Sequence, residues 1–560
     1  MLLLRAGPMT DREPGTGRLR LAVGYGSQTG NAQYLAEDFS AAAKAIGIEV
    51  QAVEMNRLAL HELQDISHLV AFVSTTGDGE LPYNASIFGE ALAGAPPDAL
   101  AHLSFAVLGL GDRSYEEFAA GGRIIDTRLE ELGATRLFDR ADCDEDFDDA
   151  AEAWSSAVLE RLHEALIPAE SATEDFDAYE VLGEAERRVG AERGEWTRRH
   201  PLLARVVENR RLTSKDSEKE VRHIVIDVAG SGLVYQAGDS LGVHPVNDPM
   251  LVEALLTQLA VPSTHRPAGH LESLGELLST RLEIRTPSKE LLVLVAERTK
   301  DDEARRILVE ASAGERNTWL HGRDVLDLTL LVEDLAVDEL LPTLRPLQYR
   351  DYSIASSPSV HSERIHLTVA VVRHRHLGRE RGGVASTFLA DRSGDGVLVH
   401  PQPNPGFRLP PDDAHLIMVG PGTGIAPFRA FLHERQRAAA TGRAWLFFGA
   451  RHRSTDFLYS EELHAFLETG VLTRLDLAFS RDQERRVYVQ DRMSEHASEL
   501  YAWLESGAYL YVCGDAERMA KDVDATLHRI VGVAGGMDPE AAHDYVNRLI
   551  MEHRYVRDVY

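Results

Sequence analysis

The chain has 560 residues, 44% hydrophobic and 26% charged, which leaves room for three or four ordinary domains and excludes wholesale disorder or a fibrous repeat. Its 59 Lys+Arg against 89 Asp+Glu give a formal charge of -30, which repels nucleic acid and anionic lipid over most of the surface. Cys143 and Cys513 are the only cysteines, so no disulfide framework, all-thiolate zinc site or all-thiolate iron-sulfur cluster can be built, and such metal chemistry falls to another chain.

Residues 1–17 mix Gly, Pro, Thr and charge without periodicity and are expected to form a disordered leader, with Met9 an alternative start. They lack the apolar core of a signal peptide, and no apolar run approaches ~18 residues, so no membrane span is expected and the cytoplasm is the expected compartment. Over 18–167, apolar runs at Leu19–Tyr25, Ile48–Val53, His68–Ser74, Ser104–Leu110 and Arg136–Phe138 alternate with helical patterns, predicting five strands of a doubly wound parallel α/β sheet. Residues 168–199 are acidic with few large apolar side chains and are expected to be a linker or hinge. Residues 200–411 predict a β-barrel interrupted by a helical insertion at about 248–341, and 412–560 return to the strand–helix alternation of a second nucleotide-binding α/β domain.

Ser27, Gln28, Thr29, Gly30 and Asn31 lie between the first strand and a helix that opens at Ala32. Hydroxyls plus unsatisfied first-turn amides make an anion cradle, and without a basic residue it suits a terminal phosphate held by neutral donors; a plain N-cap is the alternative on this segment alone. Two further loops leave the same sheet edge: Ser74-Thr75-Thr76-Gly77-Asp78-Gly79-Glu80 and Leu110-Gly111-Asp112-Arg113-Ser114-Tyr115. Singly each is a solvated turn; together they fall where such sheets bind ligands, with backbone able to approach a flat ring edge and Tyr115 able to stack on its face. SQTGNA, STTGDGE and LGDRSYEEF resemble the flavodoxin-like FMN domain of the diflavin reductases. The resemblance implies FMN contacts at Ser27 to Ala32, at Ser74, Thr75, Thr76 and Gly77, and at Leu110, Gly111, Asp112, Arg113, Ser114, Tyr115, Glu116, Glu117, Phe118 and Ala119. Thr76 stands where some relatives carry an aromatic, so stacking is expected on one side.

Arg350-Asp351-Tyr352-Ser353 resembles the R-x-Y-S signature of ferredoxin-reductase-type FAD barrels: Arg350 offers a fork for pyrophosphate, Tyr352 an aromatic face and Ser353 a hydroxyl. Gly383-Val384-Ala385-Ser386 matches that family's second pyrophosphate loop. Further FAD contacts are implied at Thr286, Thr368, Val369, Ala370 and His374, the last replacing a tyrosine of close relatives. Gly420 to Arg429 sits between a strand and a helix, as a dinucleotide loop requires. Ser480, Arg481 and Arg486-Val487-Tyr488-Val489-Gln490 combine arginines with hydroxyls, which suits a ribose 2′-phosphate and hence NADPH, or, without the glycine loop, a solvated surface cluster. The resemblance adds Asp522 as an NADP contact, groups Ser353, Cys513 and Asp558 around the nicotinamide, and lays the C-terminal Tyr560 over the FAD ring as a mobile gate. Without it, Cys513 reads as a buried structural thiol, as Cys143 does, and the C-terminus as frayed.

The resemblance therefore implies an α/β multidomain oxidoreductase: a flavodoxin-like sheet, an FAD-binding barrel with a helical insertion and a ferredoxin-reductase-type NADP domain. NADPH gives two electrons at once whereas haem and iron-sulfur acceptors take them singly, and a flavin serves both, so the implied order is NADPH, FAD, FMN, external metal centre. GPGTGIAPFRAFLHERQ, VYVQD, YVCGDAERMAKDV and the ending RDVY most resemble the flavoproteins of bacterial sulfite reductases. That implies a sirohaem iron-sulfur haemoprotein as electron acceptor, reducing sulfite to sulfide. A reductase for a haem mono-oxygenase and a flavin redox sensor without turnover are the alternatives, and oligomeric state stays open. The acidic run Asp142, Asp144, Glu145, Asp146, Asp148 and Asp149 reads either as a solvated face or as a steering surface for a basic partner.

Overall fold

Strands β1 (Leu21–Gly26), β2 (Ala52–Glu54), β3 (His68–Ser74), β4 (Ser104–Leu110), β5 (Thr135–Arg136) and β6 (Ala141–Cys143) build a parallel sheet in the order β2-β1-β3-β4-β5, with β6 also paired to β4. They belong to a computed structural model that describes residues 19–77, 79–113, 115, 117–144, 146–166 and 176–560. The expected leader 1–17, the first part of the expected linker, and Asp78, Ser114, Glu116 and Glu145 lie outside the described residues. β3 and β4 are apolar throughout because both faces are covered. Val70 and Phe72 pack with Phe39 and Trp154 on one side, and Leu69, Ala71 and Val73 with Phe88 and Ile125 on the other. Ile48 and Val50 are buried but outside the ladder, so the apolar alternation there marks burial ahead of the short β2.

Part of the segment expected as a hinge is a helix, Ala178–Arg193. Its Ala178, Leu182 and Ala185 belong to the same core as Phe39, Phe72 and Trp154, which makes this helix part of the first domain's packing.

The second region holds β7 (Leu202–Arg211), β8 (Glu220–Asp227), β9 (Ser240–His244), β10 (Arg350–Ser353), β11 (Arg364–Val371), β12 (Arg373–His376), β13 (Arg379–Gly382) and β14 (Val397–Gln402). Six of these pair antiparallel in the order β10-β9-β14-β7-β8-β11, and the bridge Ile354–Leu367 joins the two edges into a barrel. Ile224, Ile226, Leu241, Val243, Leu367, Val369 and Val399 are in its core. Between β9 and β10, helices from Pro249–Gln258 to Val337–Leu340 form the expected insertion around Leu255, Leu278, Leu291 and Leu328. β12 and β13 make a separate hairpin.

The last region is a parallel sheet in the order β17-β16-β15-β18-β19, from β15 (Leu416–Val419), β16 (Ala444–Ala450), β17 (Arg474–Phe479), β18 (Tyr509–Gly514) and β19 (Tyr555–Val559). The tail is therefore a strand rather than frayed. Its register sets Asp558 beside Cys513.

Buried polar groups fix this sheet to the barrel. Arg429 is 7% exposed, donates to Ala355 O at 2.6 Å and pairs with Glu462 at 2.6 Å. Tyr459 Oη meets Thr368 Oγ1 at 2.8 Å and His223 Nδ1 at 2.9 Å. Burial, reinforced by Arg429, pushes His223 down to about 4, so its ring stays neutral beside that cation.

Leu182→Ala should cost the first domain about 2–5 kcal/mol, the price of a core cavity. Hydrogen exchange checks this: β1 and β3 amides should exchange faster while β15 and β18 amides hold. Unchanged β1 and β3 rates would remove the helix from that core.

Candidate cofactor site at the domain junction

All three loops of the first sheet leave the C-terminal ends of its strands. Ser27 N donates to Asn84 Oδ1 at 2.9 Å, and Ser27 Oγ accepts from Ala32 N at 3.2 Å, which turns the chain into the helix Asn31–Ala45. Gly30 has φ 88° at the N-cap; a left-handed residue at this point favours glycine, which brings no capping side chain of its own. The second and third loops are stitched by Thr75 N donating to Leu110 O (2.9 Å) and Gly121 N donating to Thr75 Oγ1 (3.1 Å). A Cβ on Gly111 would stand 2.6 Å from Ala119 N, and one on Gly121 would overlap Ser74 O, so the packing of these loops requires glycine. Thr76 Oγ1 is buried with no hydrogen-bond partner among the described residues. An orphaned hydroxyl at the expected ring edge fits a polar ring such as flavin. Tyr115 is 57% exposed, and its carbonyl accepts from Lys289 Nζ at 3.0 Å. Glu117 is bound to Arg123 beside Phe118 and Ala119, and Arg113 stacks 5.3 Å from the Phe118 ring centroid.

In the barrel, the bridge Ile354–Leu367 is not continued by further pairs between β10 and β11 among the described residues. Arg350 to Ser353 and Thr368 to Val371 therefore lie along an open seam. Arg350 and Asp351 are exposed on it, whereas Thr368 is spent on Tyr459 and Val369 is fully buried in the core. Ala370 is exposed. Gly383 caps the short helix Val384–Thr387 without a side-chain bond, which leaves first-turn amides at Val384, Ala385 and Ser386 for an anion. Thr286 is held through its amide by Glu283 at 3.0 Å. Its neighbour Arg285 reaches Gly382 O at 3.3 Å, Arg323 O at 3.1 Å and His374 Nε2 at 3.3 Å. Arg381, 5% exposed, fixes the same hairpin through Asp324 (3.0 Å) and Asp327 (2.7 Å).

In the last domain a Cβ on Gly424 would overlap Cys513 O, so only glycine lets this loop lie on the end of β18. Gly422 has φ 58° with no atom within 4 Å of a Cβ position, an open backbone that a pyrophosphate can approach. Ser480 N and Arg481 N donate to Ala450 O and Arg451 O, each at 2.9 Å, at the ends of β17 and β16. Arg486 and Tyr488 are exposed, Val487 is half-buried, Val489 is 3% exposed in the core, and Gln490 Nε2 donates to Asp522 Oδ2 at 3.0 Å. The exposed Arg481, Arg486 and Tyr488 follow the end of β17, whereas Ser480 is buried with its Oγ 3.4 Å from Ala450 O.

The three regions converge at β19. Asp558 Oδ2 accepts from Ser353 Oγ at 2.9 Å and from Cys513 Sγ at 3.7 Å. Burial raises the pKa of both Asp558 and Cys513. Tyr560 is more anchored than a gate alone requires: its amide donates to Gly514 O (3.0 Å), its carbonyl accepts from Ala516 N (3.1 Å) and its Oη meets Thr423 Oγ1 at 3.0 Å, with the ring 62% exposed. Gln28 Nε2 donates to Val559 O at 3.0 Å, and Gln402 Nε2 to Thr29 O at 3.1 Å. Tyr83 reaches Tyr555 O and packs edge-on to its ring, centroids 5.5 Å apart. Gln402, Tyr83, Asn84 and Arg285 carry no local signature in the sequence; their roles exist only through contacts distant along the chain. The acidic run is largely spent inside the chain: Asp142 on Arg140, Asp144 on Arg113, and Asp148 and Asp149 on Arg199.

The chain matches the Flavodoxin family over residues 23–154, the FAD binding domain family over 195–388 and the Oxidoreductase NAD-binding domain family over 418–525. It is 43% identical to the sulfite reductase (NADPH) flavoprotein alpha-component of Bacillus subtilis, covering 96% of this chain and 89% of the relative. It is 41% identical to the protein of that name in Vibrio cholerae, covering 97% of this chain and 88% of the relative. The same name belongs to a Cronobacter sakazakii protein, 41% identical over 95% of this chain and 89% of the relative. The open loops at the three sheet and barrel edges, their junction at β19 and this near full-length similarity together make the chain a member of the sulfite reductase (NADPH) flavoprotein alpha-component family.

Proposed function

We propose that the chain draws reducing equivalents from NADPH at the last domain, passes them through FAD in the barrel seam to FMN in the first domain, and delivers them to a separate sirohaem iron-sulfur haemoprotein that reduces sulfite to sulfide. The observation that carries this is the junction at β19. There the barrel's Ser353, the nucleotide domain's Cys513 and Asp558, and the first domain's Gln28 are linked through adjacent residues. Bound flavin supplies the conversion from paired to single electrons.

The chain's own residues orient and shield. Ser353 and Cys513 both donate to one oxygen of Asp558 and fix that carboxyl, which would stabilise positive charge on a nicotinamide ring held beside it. Cys513 is fully buried and its thiol is pushed well up by burial, so it stays protonated and acts as a donor, not a nucleophile. Tyr560, resting on Thr423 of the glycine loop, covers the approach from the nucleotide side. Arg345 pairs with Asp112 at 2.8 Å and Lys289 holds Tyr115, so the third loop of the first domain faces the helical insertion and the segment leading into β10. The haemoprotein reaches them in a second arrangement of that domain. Among the described residues no helix is long and apolar enough to cross a membrane. Both cysteines are free, which supports placement in the reducing cytoplasm.

The proposal is tested by adding NADPH, sulfite and the purified haemoprotein to the flavin-loaded chain and measuring sulfide. Sulfide formation supports it; reduced flavins with no electron transfer to the haemoprotein would refute the acceptor. Thr29→Asp should expel FMN while sparing FAD, read as the flavins released on denaturation, because a carboxylate then faces the terminal phosphate. Arg481→Glu should weaken NADPH binding by roughly 10- to 100-fold through loss of a charge-assisted bond, with NADH binding unchanged; unchanged NADPH affinity removes Arg481 from the 2′-phosphate site. Asp558→Asn should slow flavin reduction on the order of 10²-fold in stopped-flow experiments while NADP⁺ affinity holds. A proportional loss of affinity would make Asp558 a binding residue instead.

A further inference from the structure

The turn between β7 and β8 leaves the barrel and lies on the nucleotide domain: Ser214 N donates to Thr455 O at 2.8 Å, and Ser217 Oγ donates to Asp456. The next residue, Glu218, places one carboxylate oxygen 2.6 Å from Arg451 Nη1 and 2.9 Å from Arg481 Nη1. Lys219 follows, its ammonium pKa lowered first by burial and then by Arg451. A single carboxylate from another domain thus sits on two of three clustered cations at the edge where the phosphorylated ribose is expected.

Resting on the assignment of Arg481 to the 2′-phosphate, we propose that Glu218 is a resident anion of that subsite, which NADP(H) must displace from Arg481 and Arg451 and which NAD(H), lacking the phosphate, leaves in place. Two anions on the same pair of guanidinium groups repel each other, and Glu218 already takes Nη1 of both. Glu218 is the weaker claimant. Its side chain is 62% exposed and those of Arg451 and Arg481 are 33% and 41% exposed, so the pairs are solvent-screened and yield to a dianion. In the absence of the dinucleotide, the carboxylate holds both arginines at the sheet edge and lowers the apparent affinity for the phosphorylated form. Displacing it removes one of the contacts between the β7–β8 turn and the nucleotide domain while those of Ser214 and Ser217 stay, which links occupancy of the 2′ subsite to contact between two domains.

The test is calorimetric binding of NADP⁺ and NAD⁺ to the flavin-loaded chain, comparing wild type, Glu218→Gln, Arg481→Gln and the double variant. Glu218→Gln should tighten NADP⁺ binding roughly three- to tenfold, the size of one or two exposed ion pairs. NAD⁺ affinity should stay put, and the gain should shrink at about 0.5 M salt. In the Arg481→Gln background the same change should give a smaller gain. If NADP⁺ binding is unchanged or weakened by Glu218→Gln, or if NAD⁺ tightens equally, the inference falls. If Arg481→Gln leaves NADP⁺ affinity intact, the 2′-phosphate assignment falls first. Glu218 lies on an exposed turn, so loss of folding does not confuse these outcomes.

Discussion

One carboxylate oxygen organises the centre of this molecule. Asp558 Oδ2 takes a hydrogen bond from Ser353 in the barrel and another from Cys513 in the neighbouring strand, so the last strand of the chain joins two domains at the proposed meeting point of their cofactors. Burial disfavours the charged form of Asp558, and those two donors offset part of that cost. The group holds only while β19 keeps its register on β18, since a one-residue slip would turn Asp558 to the other face.

Around that point the glycine loops serve one purpose, close approach of backbone to backbone. Gly424 lays the dinucleotide loop against Cys513, and Gly111 and Gly121 draw the first domain's loops together. The first domain is then held over the junction by unlike contacts: a tyrosine inserted against β19, an ion pair at Asp112 and amide bonds from Gln28 and Gln402. Single amide bonds of this sort are individually weak, and the half-buried Arg345–Asp112 pair is the one charged contact among them. That suits an interface that opens for an outside acceptor under the proposed function, in contrast to the buried Arg429, held by Glu462 within the nucleotide domain, whose bond to Ala355 O fixes that domain to the barrel.

Much of this was legible from local pattern. β3 and β4 begin and end where their apolar runs do, because a strand covered on both faces carries its whole signal in its own residues. The glycine loops stand out by their place between strand and helix, and the R-x-Y-S strand by its resemblance to ferredoxin-reductase-type FAD barrels. What escaped was set at long range. β6 is three residues, polar at its centre, and exists by pairing with β4. β19 looks like a tail until β18 is beside it. The helix Ala178–Arg193 has a charged sequence whose few small apolar residues matter only once Phe39 and Trp154 supply their partners. Arg285, beside the expected Thr286, and Gln402 and Glu218, on strand ends and turns, read as ordinary surface polar residues until the fold brings their partners to them.

The account stands on two flavins in one chain fed from a single nucleotide site. Anaerobic titration of the fully loaded protein with NADPH, followed by its absorbance and by flavin analysis of the same sample, tests this directly. The account predicts one FAD and one FMN per chain, both bleached by about two equivalents of NADPH. Recovery of one flavin only, or an FMN that stays oxidised while FAD is reduced, would contradict it.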